Sequence, residues 1–225
     1  MDGTLIDTEP LWIAAEHALL DQYGIEMGPD IPEQLIGSGL RDAAELFRGL
    51  GVPLSHEQII DAWLASVIAG ASSTPPMWRP GALELLASLR EAQIPCALVT
   101  MSYRSLADEV LKLLPPGTFT AVITGDAVAH EKPHPDPYLR GAAALGVSIG
   151  ACIAIEDSPT GLRSAVSSGA VSLGVPNLLP LDHAPSHALL PTLAGESAAS
   201  FGARFQALRQ TDPTPRTLTP GAHSA

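Results

Sequence analysis

Ala151-Cys152-Ile153-Ala154-Ile155-Glu156-Asp157-Ser158-Pro159-Thr160-Gly161 begins as an apolar run, ends that run on two adjacent carboxylates, and passes into a segment led by proline. A strand buried on both faces reads as an unbroken apolar run, and proline suits the first position of a helix. The stretch therefore predicts a strand over 151–155 and a helix over 159–168. The same pair recurs on either side. Helix 81–92 leads to strand 94–100, helix 104–114 to strand 119–124, helix 136–145 to strand 151–155, and helix 159–168 to strand 171–175. Short apolar strands alternating with helices imply a parallel sheet covered by helices on both sides. Ligands of such sheets collect at the carboxyl ends of the strands.

Upstream the pattern is different. Leu11, Trp12, Ala15, Ala18, Leu19 and Tyr23 recur at helical spacing and stop at Gly24. Further amphipathic stretches cover 40–50 and 55–68, the latter opening with Ser55 and Gln58 as a capping box. No strand-like alternation appears between Pro10 and Ala71, and Gly-Ala-Ser-Ser-Thr-Pro-Pro at 70–76 reads as a hinge-like linker. The expected division is a core of 1–10 and 78–210, a helical insertion of 11–77, and a disordered tail of 211–225 rich in Pro, Thr, Ser and Gly.

The bulk numbers narrow the function. A chain of 225 residues that is 46% hydrophobic can bury a sizeable core. A formal net charge of −12 makes nucleic acid and anionic membrane unsuitable partners. An anionic substrate would need a local cationic site. Cys96 and Cys152 lie far apart in separate apolar runs, which suggests buried free thiols in a reducing cytoplasm. No signal peptide pattern and no apolar run of spanning length is present.

Four places fall at strand ends. Thr100 can donate its hydroxyl to a phosphate oxygen, with the backbone of Met101 and Ser102 at the following helix start; as an isolated residue it is an ordinary strand-ending threonine. Lys132, between Glu131 and Pro133, has the defined direction that a phosphate-binding cation needs, although a lone loop lysine is ordinarily solvated. Glu156 and Asp157 repel each other unless a cation sits with them, and one or two carboxylates with a substrate phosphate suit Mg²⁺. Asp157 could instead cap the next helix. Asp2-Gly3-Thr4 is a common turn tripeptide when taken alone.

In order, D-G-T-L-x-D-T-E from Asp2, R-P-G-x-x-E-L-L from Arg79, L-V-T ending at Thr100, K-P-x-P-D-x-Y-L from Lys132 and E-D-S-x-x-G from Glu156 resemble the haloacid dehalogenase-like hydrolases, in particular their phosphatase and phosphoglucomutase-like members. The resemblance spans about residues 1–180. It implies a Rossmann-like core with an all-helical cap, Mg²⁺, and an aspartyl-phosphate formed on a small phosphorylated metabolite of the sugar or sugar-alcohol class. By the same resemblance Asp2 is the general acid/base and a metal ligand, Glu156 and Asp157 serve the metal, and Gly3, Thr100, Met101, Ser102 and Lys132 hold the phosphoryl group. The family's motif D-M-D-G-T has a nucleophilic Asp and a first core strand ahead of the position that is Met1 here. Both are therefore expected to be missing from the 225 residues, through a misassigned start, a genuine inactive remnant that binds its ligand without turnover, or a deliberate truncation.

Asp2 argues against dehalogenation, whose leaving halide needs no proton. Related sugar phosphomutases place a Lys before a cap Gly, an Arg three residues after it, and a His ten residues beyond the second Asp. Ile36, Leu40 and Trp12 stand there, with Arg41 one place out of step as a further candidate for phosphate binding. A phosphatase is favoured over a mutase, and a monomer or weak dimer is expected.

Overall fold

The computed structural model describes residues 1–35 and 38–216. Ile36 and Gly37, which entered the comparison with mutases, lie outside the described residues, as do 217–225 of the expected tail. Among the described residues four helices come before the alternating half: α1 (Glu9–Gln22), α2 (Ile31–Leu35), α3 (Leu40–Gly49) and α4 (His56–Ser73). α1 and α3 both pack on α4. Their seam buries Ile59, Trp63 and Val67 from α4, and the Trp63 ring meets Phe47 edge to face with centroids 4.7 Å apart. The expected capping box forms, Ser55 accepting from the Gln58 N–H while the Gln58 side chain accepts from the Ser55 N–H.

The hinge expected at 70–76 is shorter than its composition suggested. α4 continues to Ser73, where the Ser72 hydroxyl donates to the Ile68 carbonyl and the Ser73 hydroxyl to that of Gly70. These back-bonds satisfy hydroxyls that would otherwise compete with the helix. The first residues run beside the return path: Asp7 N–H donates to Met77 O, Arg79 N–H to Leu5 O, and Ile6 bridges Trp78. Both crossings into the helical segment therefore lie side by side.

The alternating half then follows: α5 (Ala82–Glu91), β1 (Ala97–Val99), α6 (Arg104–Lys112), β2 (Ala121–Ile123), α7 (Asp136–Leu145), β3 (Ile153–Glu156), α8 (Pro159–Ser168) and β4 (Val171–Gly174). β1 pairs with β2 in parallel, and β3 with β4, as the apolar runs implied. α7 packs on β1 and β2, and α8 on β3 and β4. Beyond them lie β5 (Pro185–Ser186), β6 (Ala188–Leu189), α9 (Ala198–Leu208) and β7 (Thr214–Pro215). β6 extends β4 in parallel, and β7 pairs antiparallel with β5. Residues 211–216, expected in a disordered tail, are thus tied down in part, with Arg216 Nε donating to the Ser186 carbonyl at 2.9 Å.

Among the described residues the two parallel groups are not paired strand to strand. β1–β2 forms one sheet and β3–β4–β6 another. β1 and β3 each have a single strand partner, and both line an apolar cavity of about 440 Å³ shared with Met1, Leu5, Leu85 and Phe201. Cys96 and Cys152, expected to be buried, are half-buried free thiols just ahead of these two strands. No helix among the described residues is long and apolar enough to cross a membrane.

Candidate active site

The carboxyl ends of β1 and β3, the loop before α7 and the first residues of the chain converge. Asp2, Thr100, Met101, Ser102, Lys132, Glu156 and Asp157 line one cavity of about 120 Å³. Sequence separations of up to about 155 residues collapse here because each residue sits at, or just after, the end of a parallel strand or in a loop at that edge.

Asp2 is held by four donors. Thr8 Oγ1 donates at 2.5 Å and Trp12 Nε1 at 3.5 Å to one carboxylate oxygen; Ser102 Oγ at 2.7 Å and Thr100 Oγ1 at 3.3 Å donate to the other. Donors of this number fix the orientation of the carboxyl group. The Thr100 and Ser102 hydroxyls, which the resemblance assigned to a phosphoryl group, thus donate to Asp2. Gly3 follows with φ +66°, and a Cβ there would collide with the Asp157 carboxylate. Only glycine allows both that backbone and that approach.

Lys132 and Glu156 form a buried ion pair, Nζ to Oε1 2.6 Å, with side chains 9% and 6% exposed. Lys132 Nζ also donates to the Val99 carbonyl at 3.2 Å and lies 5.1 Å from the Tyr138 ring centroid. The Tyr138 hydroxyl donates to the same Glu156 oxygen. Burial, then the Glu156 charge, pushes the Tyr138 hydroxyl well above its usual range, so it stays a donor. A Cβ at position 161 would collide with the Glu156 carboxylate, so glycine lets α8 approach it. Glu156, paired in the sequence reading with Asp157 as a metal ligand, is here turned to Lys132 and Tyr138. Ser158 caps α8 by accepting from the Gly161 N–H, which leaves Asp157 outside the capping role.

Asp157 accepts from Thr4 Oγ1 at 2.9 Å. Burial, then Glu156, raises its carboxyl to about 6, against the opposing pull of the Met1 ammonium. A buried carboxylate lifted in this way suits a bound cation, and its hard oxygens suit Mg²⁺. Among the described residues no three acidic, His or Cys side chains form a complete metal cage. Mg²⁺ would be held by Asp157 and Asp2 together with phosphate and water oxygens, a donor set typical of that ion.

Arg41 is not brought to the cavity. It is exposed on α3, where its side chain meets the Tyr103 hydroxyl and faces Glu131 and Glu57. Lys132 is the only Lys or Arg side chain among the described residues lining the cavity. Sequence reasoning did not find Thr4, Thr8 or Tyr138, although all three stand inside the quoted motifs. It also missed Glu9, Glu16 and Trp63, which line the cavity's helical wall. Glu9, Trp12 and Glu16 are spaced i, i+3, i+7, one face of α1, so the signal was present.

Burial raises the Glu16 carboxyl from 4.5 to about 7. Because the folded protein disfavours the ionised form, this contribution to stability is intact below about pH 4.5 and is lost as pH rises through about 7. Glu16→Gln is expected to raise stability at pH 8 by about 1–3 kcal/mol, after discounting for partial exposure, and to change nothing at pH 4.5. Urea unfolding at the two pH values checks it.

Among the described residues four helices precede the α/β part, and acidic, hydroxyl and lysine side chains gather at its strand ends. The family model for haloacid dehalogenase-like hydrolases matches residues 1–175, and the chain belongs to that family. Hexitol phosphatase B of Escherichia coli is 30% identical over 181 residues, 78% of this chain and 81% of the relative. Phosphoglycolate phosphatase of Neisseria meningitidis is 28% identical over 186 residues, 78% and 77% of the two chains. Among solved structures, CbbY from Rhodobacter sphaeroides in complex with phosphate superposes with a TM-score of 0.80 at 25% identity, covering 90% of this chain and 96% of that one. Beta-phosphoglucomutase from Clostridium difficile superposes with a TM-score of 0.79 at 20% identity, covering 92% and 94%, a likeness of fold.

Proposed function

We propose that this site hydrolyses phosphomonoesters of small hydroxylated metabolites, of the sugar or sugar-alcohol class, with residues 11–77 acting as a cap over a core of 1–10 and 78–210. The observation that carries the reading is the gathering of Asp2, Thr100, Ser102, Lys132 and Asp157 around one cavity. Lys132, fixed by Glu156 and Tyr138, presents a positive charge to the phosphoryl oxygens. Thr100 and Ser102 hydroxyls turn from Asp2 to those oxygens when substrate enters. An Asp immediately ahead of Met1 attacks phosphorus, the ester P–O bond breaks, and Asp2 gives its proton to the departing alkoxide. Water then attacks the aspartyl-phosphate, Asp2 takes the water's proton, and inorganic phosphate leaves. Mg²⁺, when bound, neutralises charge on the transferring group. The half-buried free thiols fit a reducing cytoplasm.

A mutase would have to grip a second phosphate, and no second Lys or Arg side chain lines the cavity among the described residues. The reading is tested with a chain that carries the added Asp, assayed for phosphate release from polyol and sugar monophosphates. Release should require Mg²⁺, stop with EDTA, and fall by about 10²–10⁴ in Asp2→Asn. Appearance of an isomerised sugar phosphate in place of inorganic phosphate would overturn it in favour of the mutase.

A further inference from the structure

The helical wall of the cavity contains a donor with nothing to bond. Trp63 is 1% exposed, lines the cavity, and its Nε1–H has no hydrogen-bond partner. Buried donors are nearly always paired, so one left open beside a cavity points to an acceptor supplied from outside the chain. Glu16 lines the same cavity from α1, two turns beyond Glu9, and brings acceptor oxygens to it. Trp12, Leu35, Leu40 and Ala43 add apolar lining to the same cavity.

We propose that Trp63 Nε1–H and the Glu16 carboxylate form the subsite that reads hydroxyl groups on the leaving alcohol, so that the substrate is the monophosphate of a neutral polyol. This rests on the phosphatase reading of the same cavity and deepens it. A hydroxyl is the group that accepts from Trp63 and donates to Glu16 at once. A carboxylate or a second phosphate only accepts, and it would meet the acidic side chains of Glu9 and Glu16. An alkyl chain fills the apolar walls but leaves both polar groups unmet, which a site built for hydroxyls rejects strongly. The T-shaped contact with Phe47 fixes the Trp63 ring and holds the donor in place.

The test is calorimetric titration of residues 1–225 with Mg²⁺ present, using sorbitol 6-phosphate, hexyl phosphate and inorganic phosphate. Sorbitol 6-phosphate should bind at least about tenfold tighter than hexyl phosphate, a ligand of similar length without hydroxyls. Trp63→Phe, which keeps the aromatic contact, and Glu16→Leu should each bring that ratio close to one while leaving inorganic phosphate within about twofold of the parent. Glu16→Gln, which can still exchange hydrogen bonds with a hydroxyl, should keep most of the preference. Equal binding of the two esters by the parent overturns the subsite while leaving the phosphoryl site standing. So does equal weakening of all three ligands in the variants, the mark of a purely structural role. Binding of none of the three overturns the subsite and the phosphatase reading together.

Discussion

Phosphate release from p-nitrophenyl phosphate with Mg²⁺ is expected to rise on the order of 10³-fold or more when an apolar strand ending in Asp is placed directly ahead of Met1, relative to residues 1–225 alone. Asp2, Lys132, Thr100 and Ser102 are already assembled, but none of them is a free nucleophile: Lys132 is paired with Glu156, and Asp2 is held by four donors. The added carboxylate would enter the same cavity, next to Asp2 in space. The strand itself has a place to lie. β1 and β3 each have one strand partner and face a shared apolar cavity of about 440 Å³. Filling such a void restores dispersion contacts and removes apolar surface from water, an effect on the order of 5–10 kcal/mol at about 24 cal/mol per Å³ before relaxation is allowed for. The melting temperature should therefore climb along with activity. Replacing only the added Asp with Asn separates the two effects: the rise in melting temperature stays and turnover disappears. Equally robust turnover by residues 1–225 would end the assignment of the nucleophile.

Sequence periodicity revealed the alternating half well because its signals were local and redundant. α8 runs over Pro159–Ser168, the expected bounds, since Ser158, Pro159 and a left-handed Gly169 mark both ends. Composition misled at 70–76, where glycine, serines and threonine looked like a linker and yet three of the residues close hydrogen bonds back onto α4. α9 was missed because its capping box uses Ser197 and Ser200, without the acidic or amide partner that makes such a box easy to read. The pairing of Pro185–Ser186 with Thr214–Pro215 is two residues long and carries two prolines, so no alternation could announce it. The site was legible as a set of residue types at strand ends. What each carboxylate faces was not, because that depends on tertiary neighbours. Glu156, at the end of β3, turns to Lys132 and to Tyr138, which lies 18 residues away on α7.

That arrangement makes the buried pair a sharp target. Lys132→Met removes the cation paired with a carboxylate 6% exposed, and leaves Glu156 with the Tyr138 hydroxyl as its remaining donor in the triad. Removing one partner of a buried ion pair strands a charge in low dielectric, so unfolding free energy should fall by about 3–5 kcal/mol. Glu156→Leu strands the lysine instead and should cost a similar amount. The double variant, with two apolar side chains of comparable length, should recover most of that loss, because neither charge remains to be desolvated. Its phosphate affinity should not recover. Lys132 is the only Lys or Arg side chain lining the cavity among the described residues, so on the proposed reading every variant lacking it should bind inorganic phosphate at least about tenfold more weakly. Urea unfolding and calorimetric titration on the three proteins separate the two roles. A double variant as unstable as either single one would show that the pair is not the source of the loss. One that still bound phosphate at parental affinity would remove Lys132 from the site.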